Sequence, residues 1–120
     1  MESEEADSLK EIGVAMLKEK KMITLVKGTL LKIEPSAEII LFGSRARRDS
    51  NEFSDWDFLI LVDGHVDASR TDRIRSALYD IELDSGEIIS SIVRCREDWN
   101  GPRYRYAPLH KTIEQEGVRL

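Results

Sequence analysis

Two observations predict a single α/β (α+β) domain, in which helices flank a small mixed three-stranded sheet. Apolar residues recur at helical spacing over residues 8–34 and again over 69–84. Short apolar runs near 39–42, 55–62 and 87–93 are bounded by glycine and predict buried strands. The elements follow the order helix, strand, strand, helix, strand, helix, which we interpret as a single domain over residues 1–120.

The N-terminal helical segment, residues 8–34, contains two apolar faces. The first is formed by Leu9, Ile12, Met16 and Leu17, and the second by Met22, Leu25, Val26, Leu30 and Ile33. The basic stretch 18–21 leaves open whether this segment is one helix or two. Pro35 ends it, because proline blocks further helix.

The motif-bearing strands span residues 38–62, and a C-terminal arm spans 94–120. In the arm, Arg94 to Ala107 is predicted to be irregular, and a last helix begins at Pro108. Trp56 is expected to pack in the core or against a helix, and Trp99 to anchor the irregular segment after the third strand. His65 and His110 show no metal-ligand spacing and are expected at the surface.

Composition excludes several classes of protein. The net charge of −5 excludes a chain whose whole surface attracts nucleic acid, so nucleic acid is expected only as an acceptor at a local site. The single cysteine, Cys95, fits a reducing cytoplasm. The longest apolar run, 58–62, is far shorter than the roughly 20 residues of a membrane helix, so we expect a cytoplasmic protein that does not contact a membrane.

Two aspartates open the second predicted strand. Asp55 and Asp57 are two residues apart, so in a strand they project from the same face. Adjacent carboxylates repel each other unless a cation neutralises them. Hard oxygen ligands suit Mg²⁺ or Mn²⁺, and Mg²⁺ typically takes one or two carboxylates plus substrate phosphates. The pair is therefore predicted to be a metal site; the alternative is the solvated end of a strand.

A glycine and a serine end the first predicted strand. Gly43 permits a tight turn and a close approach of phosphate to the backbone, and Ser44 offers a hydroxyl donor. Arg45, Arg47 and Arg48 add positive charge directly afterwards. A phosphate cradle and metal carboxylates on consecutive strands suit phosphoryl or nucleotidyl transfer, in which catalysis is mostly positioning and charge neutralisation.

The arginines also have an alternative interpretation. They would then belong to a solvated loop and pair with Asp49, Glu52 or Asp55. The sequence leaves open whether more than one of them meets phosphate.

The segment LFGSRARRDSNEFSDWDFLILV, residues 41–62, resembles the G-S-x10-D-x-D signature of DNA polymerase β-type nucleotidyltransferases. Its Gly-Ser-Arg-Ala-Arg and Ser-Asp-x-Asp sequences are similar to those of the minimal nucleotidyltransferase proteins of bacteria and archaea. The resemblance implies the nucleotidyltransferase fold, a nucleoside triphosphate that is usually ATP, a divalent metal, and transfer of a nucleoside monophosphate to a hydroxyl of a protein or RNA. It implies that Gly43 and Ser44 hold the triphosphate and that Asp55 and Asp57 hold the metal.

Many minimal members of that family act as antitoxins of a separate helical HEPN-type protein, some by adenylylating it, so the resemblance also implies such a partner. Two departures bear on activity. Arg48 stands where the family usually has glycine. The third strand lacks an internal carboxylate where active relatives have one, and only Glu87 at its start offers an acid, so Ser90 or Ser91 is expected in that place. Two functions stay open: a nucleotidyltransferase enzyme, and a catalytically impaired antitoxin that acts by binding its partner.

Overall fold

The computed structural model describes residues 4–120 and contains a mixed sheet whose strands lie in the order β3-β2-β1-β4. The middle pair, β1 and β2, is antiparallel, β2 runs parallel to β3, and β1 runs antiparallel to β4. The strands are β1 Glu38–Phe42, β2 Trp56–Val62, β3 Ile89–Cys95 and β4 Val118–Arg119. The predicted fold class is confirmed, but the sheet of the described chain has four strands instead of three. The fourth was missed because two residues are too few to show a period-2 alternation.

Six helices lie within the described residues. They are α1 Glu4–Ile33, α2 Ser44–Arg47, α3 Ala68–Ser85, α4 Arg96–Asn100, α5 Pro102–Arg105 and α6 Pro108–Glu116. The N-terminal segment is one helix, continuous through residues 18–21. It begins four residues earlier than the predicted start, since Glu4, Glu5 and Ala6 are good helix formers. None of these helices is long and apolar enough to cross a membrane.

The sheet separates two apolar clusters. On one face α1 and α3 pack against alternate sheet residues, among them Leu41, Trp56 and Phe58. On the other face α4 and α6 pack against Ile40 and Leu59. Because side chains alternate along a strand, Trp56 and Asp57 project to opposite faces. The α4–α6 face is therefore the one on which Asp57 lies.

The first half of α1 extends away from this core. Leu9, Ile12, Met16 and Leu17 share a helical face as predicted, yet their side chains are more than half exposed. The first α1 residue that is buried among the described side chains is Met22.

The C-terminal arm is more regular than predicted, with three short helices and β4. Trp99 is buried, and its ring stacks on Tyr104 and on His110, with centroids 5.8 and 4.7 Å apart. The prediction that His110 lies at the surface is wrong, because only 8% of it is exposed. His65 is exposed. A lone histidine in a short helix gives no signal of burial, since its position depends on how α6 packs on Trp99.

A bidentate ion pair joins the end of α1 to α3. The Arg70 guanidinium donates to both carboxylate oxygens of Glu34, at 2.6 and 2.7 Å, and to the carbonyls of Asp63 and His65. These hydrogen bonds hold the pKa of Glu34 below its ordinary value. The arginine thereby ties α1 to the loop after β2.

Replacing Arg70 with alanine is expected to lower the free energy of unfolding by about 2–3 kcal/mol, because it leaves a largely buried carboxylate without its partner. A Glu34 whose folded-state pKa is lowered stabilises the fold above its unfolded pKa, and this contribution disappears as pH falls through the folded pKa. Urea unfolding at several pH values measures both effects. The exposed Arg75→Ala variant on the same helix should change stability by less than about 0.5 kcal/mol. The hydrogen bonds of Arg70 to the carbonyls of Asp63 and His65 do not titrate, so a smaller loss is expected to remain at low pH. A loss for Arg70→Ala that is as large well below pH 4.5 as at neutral pH would contradict the ion-pair explanation.

Candidate functional site

Gly43 brings the end of β1 against the start of β2. Its φ is +76°, a conformation that side chains other than glycine rarely adopt. The residue before it, Phe42, is paired with Asp57 across the antiparallel ladder. A Cβ atom on Gly43 would collide with the carboxylate oxygen Oδ2 of Asp57. Glycine is therefore required here for the turn to lie against the aspartate.

Ser44 begins α2 directly after this turn. The carbonyl of Gly43 accepts from the amides of Ala46 and Arg47, at 3.1 and 3.0 Å, so the chain reverses within a single helical turn. The first amides of a helix have no acceptor within it, so those of Ser44 and Arg45 suit an anion. The serine hydroxyl and the aspartate carboxylate are thus supplied by adjoining strand ends.

The two aspartates differ in environment. Asp57 is half-buried, whereas Asp55 precedes β2 and is exposed. Burial and the neighbouring charge of Asp55 raise the pKa of Asp57, and Arg47 opposes this shift only in part. A carboxylate that is destabilised in its ionised form by burial and by a second carboxylate suits a bound cation. No group of three or more histidine, cysteine, aspartate or glutamate side chains within residues 9–120 is arranged to hold a metal, so a cation here would need phosphate oxygens as further ligands.

The arginines after Ser44 lie in two different places. Arg47 donates to Asp49 at 3.0 Å and to Glu116 at 3.2 Å, on the Asp57 side of the sheet. Arg45 lies on the Trp56 side, its guanidinium carbon 4.3 Å from the centre of that ring. It also donates to the carbonyl of Ser54 at 3.1 Å and lies 3.7 Å from Glu87. One predicted alternative, a pair between a loop arginine and Asp49, is present for Arg47.

The third strand offers a serine beside Asp57. The parallel register pairs Asp57 with Ser90, and alternation puts both on the same face. Glu87 instead lies on the Trp56 side, where its Oε2 is 3.4 Å from the indole nitrogen. The β3 residue that pairs with Asp57 is therefore a serine and not a carboxylate.

Glu116 is the residue of this site that the sequence did not reveal. Its carboxylate accepts from the amide of Gly43 at 3.1 Å and from Arg47, and its charge contributes to the raised pKa of Asp57. It lies 73 residues along the chain from Gly43, and no local motif marks it. Only the adjacent Gly117 hints that the chain turns there.

Arg48 closes α2 in the left-handed conformation, with φ +63° and its amide bonded to the carbonyl of Ser44. A side chain in this conformation costs about 1–2 kcal/mol, which is a physical reason for the glycine that the resemblance led us to expect at this position. Arg48→Gly is therefore expected to raise the free energy of unfolding by about 0.5–1 kcal/mol after the added entropy of the unfolded glycine.

Chemical denaturation of Arg48→Gly beside Arg75→Gly measures this gain. Arg75 lies within the helix α3, so the same change there should cost about 1 kcal/mol. A loss of stability in both variants would show that the φ of Arg48 carries no strain.

The comparisons with known proteins agree with this geometry. The family model described as a nucleotidyltransferase domain matches residues 23–115, from within α1 to within α6. No curated protein matches the chain. Among solved structures, the crystal structure of a toxin–antitoxin with AMP-PNP is similar, with a TM-score of 0.53 and 18% sequence identity. The similarity covers 84% of this chain and 70% of that chain, and it indicates a shared fold.

Proposed function

This chain belongs to the nucleotidyltransferase domain family, and from that premise we propose that it binds ATP with Mg²⁺ and transfers AMP to a hydroxyl group of a protein or RNA. The observation that carries the proposal is the meeting of the Gly43–Ser44 turn with Asp57 at adjoining strand ends. A triphosphate and its metal need a donor-rich turn and carboxylates within reach of each other, and this junction supplies both.

In the proposed complex, Gly43 lets the triphosphate approach the backbone, and Ser44 donates to its phosphate oxygens. Asp55 and Asp57 hold the cation, Mg²⁺ or Mn²⁺. A cation held there would supply positive charge to neutralise the phosphates and the pyrophosphate that leaves. Arg47 adds positive charge on the Asp57 side of the sheet, and Arg45 supports the loop through Trp56 and Ser54.

The transfer itself exchanges one bond for another. The acceptor oxygen forms a bond to the α-phosphorus, the bond from that phosphorus to the bridging oxygen breaks, and pyrophosphate leaves. The hydroxyl proton must also depart. Ser90, beside Asp57 in register, is a poor base at neutral pH, so the proton goes to solvent or to a carboxylate of the acceptor protein. We therefore expect slow transfer by this chain alone.

The biological setting that we propose is a toxin–antitoxin pair, with this chain as the antitoxin and a separate helical protein of HEPN type as partner and acceptor. The toxin–antitoxin complex of similar fold supports a partner, and its AMP-PNP supports a nucleotide. The second candidate function is inhibition by binding alone. Ser90 stands where a third carboxylate is expected in an active enzyme. This serine favours inhibition by binding, because it limits the transfer of AMP and leaves docking on the partner unaffected.

Incubation of the chain with the candidate helical partner and ATP labelled at the α-phosphate tests the proposal. We expect Mg²⁺-dependent label on the partner that is lost when Asp55 and Asp57 are both replaced with alanine. Absence of label from correctly folded proteins would contradict transfer. Neutralisation of the partner by the double variant, without label, would establish the binding function instead.

A further inference from the structure

The carboxylate of Glu116 reaches the nucleotide turn from the far end of the chain. It is the last residue of α6, and only 17% of its side chain is exposed. One oxygen accepts from the amide of Gly43 at 3.1 Å, and both oxygens lie 3.2 Å from Nη1 of Arg47. These contacts are with the residue before Ser44 and the arginine three residues after it, so the carboxylate flanks Ser44.

The backbone on the C-terminal side holds Glu116 in place. A Cβ atom on the next residue, Gly117, would lie 2.5 Å from the carbonyl oxygen of Ile113 and 2.7 Å from Cγ2 of Ile40. The chain then pairs with β1 through β4, and the amide of Leu120 donates to Ile39 at 2.9 Å. The backbone next to Glu116 is therefore held by the close packing of Gly117 and by the pairing of β4 with β1.

We infer that Glu116 is a positioning residue for the nucleotide site: its carboxylate fixes the Gly43 turn and Arg47, so docking of the C-terminal segment on β1 assembles the phosphate-binding loop. The inference rests on the proposed function for the identity of the ligand. Arg47 is held between two carboxylates, because Asp49 accepts from its Nε while Glu116 accepts from its Nη1. Its guanidinium thus connects Asp49, just after α2, to Glu116 at the end of α6.

An opposite role follows from the charge of Glu116 alone. A carboxylate on the Gly43 amide would compete with a phosphate for that donor, and its removal would then strengthen binding. The fixed backbone around Glu116 favours positioning over displacement. The two roles predict opposite changes in nucleotide affinity, so one experiment separates them.

The experiment compares Glu116→Ala and Glu116→Gln with Glu114→Ala, an exposed glutamate on the same helix. Two quantities are measured: hydrogen exchange of the Gly43 amide in the nucleotide-free protein, and affinity for ATP with Mg²⁺ by calorimetry. In Glu116→Ala we expect faster exchange and about a tenfold loss of affinity, because a hydrogen bond to a charged group is lost. Glutamine keeps an acceptor for the Gly43 amide, so Glu116→Gln should recover slow exchange and part of the affinity. Glu114→Ala should match the wild type in both.

Unchanged Gly43 exchange in Glu116→Ala, or tighter ATP binding, would overturn the inference. The Leu120 amide reports whether β4 stays paired with β1. If Glu116→Ala releases β4, the Glu116→Gln variant tests the inference instead. An ATP affinity of Glu116→Gln as low as that of Glu116→Ala would then contradict a positioning role. A wild-type chain that binds no ATP would defeat the proposed function, whereas the exchange of Gly43 would still decide whether Glu116 holds the turn.

Discussion

Replacing Gly43 with alanine is expected to abolish Mg²⁺-dependent ATP binding and to lower the free energy of unfolding by about 2–4 kcal/mol. Two costs add. The φ of +76° is unfavourable for alanine, and the new methyl group would collide with Oδ2 of Asp57. Relief of that collision requires the aspartate or the turn to move, and either movement separates the proposed phosphate donors from the metal ligand.

Gly28→Ala is the matched control for this change. Gly28 lies within α1, and a Cβ atom there meets nothing within 4 Å. The same substitution should therefore raise stability by about 0.5–1 kcal/mol through helix propensity and leave ATP affinity unchanged. Thermal unfolding and calorimetry of both variants measure the contrast. Wild-type ATP affinity in Gly43→Ala would show that the turn is not part of the binding site.

Asp57→Asn is expected to weaken Mg²⁺-dependent ATP binding by about a hundredfold, because it removes the charge of one of two carboxylate ligands and keeps its shape. Affinity for ATP without a divalent cation should change far less. Asp80→Asn, an exposed position on α3, serves as the control for loss of a negative charge at constant size. Equal loss in the two variants would indicate a long-range charge effect instead of a ligand.

Asp57→Asn is expected to weaken nucleotide binding but to raise the free energy of unfolding of the metal-free protein. Burial and Asp55 raise the pKa of Asp57, so the folded state binds its proton more tightly than the unfolded state does. This contribution to stability is present below the unfolded pKa and is lost as pH rises through the folded pKa. At neutral pH without metal, Asp57→Asn should therefore be slightly more stable than the wild type, by less than about 1 kcal/mol because solvent screens a half-buried charge. Urea unfolding at pH 3 and pH 7 measures this difference, and a variant less stable than the wild type at pH 7 would contradict it.

The sequence was sufficient to predict the junction of Gly43, Ser44 and Asp57, because every contributing residue lies within 15 positions of the others. A glycine at the end of one strand and two carboxylates at the start of the next can each be recognised from neighbouring residues. The antiparallel pairing of β1 with β2 then brings them together. The metal and phosphate assigned to these residues from their chemistry, and the nucleoside triphosphate that the resemblance implies, stay predictions.

The remaining features depend on contacts between distant parts of the chain. Glu116 reaches Gly43 only because β4, two residues long, pairs with β1. Arg45 and Arg47 look equivalent in sequence, yet two residues apart on the helix α2 they project about 200° from each other and reach opposite sides of the sheet. His110 is buried by its stack on Trp99, and a pattern of local residues does not encode such a contact.

The measurement that tests the central claim most directly is an amide NMR titration of the wild-type chain with ATP, with and without Mg²⁺. We predict that Mg²⁺ and ATP together shift the signals of residues 43–47 and 55–58, and that ATP alone shifts them far less. Positive charge also lies elsewhere in the chain, because Lys20, Lys21 and Lys32 line a surface groove on α1. Shifts that concentrate on those lysines and leave Ser44 and Asp57 unchanged would contradict the account.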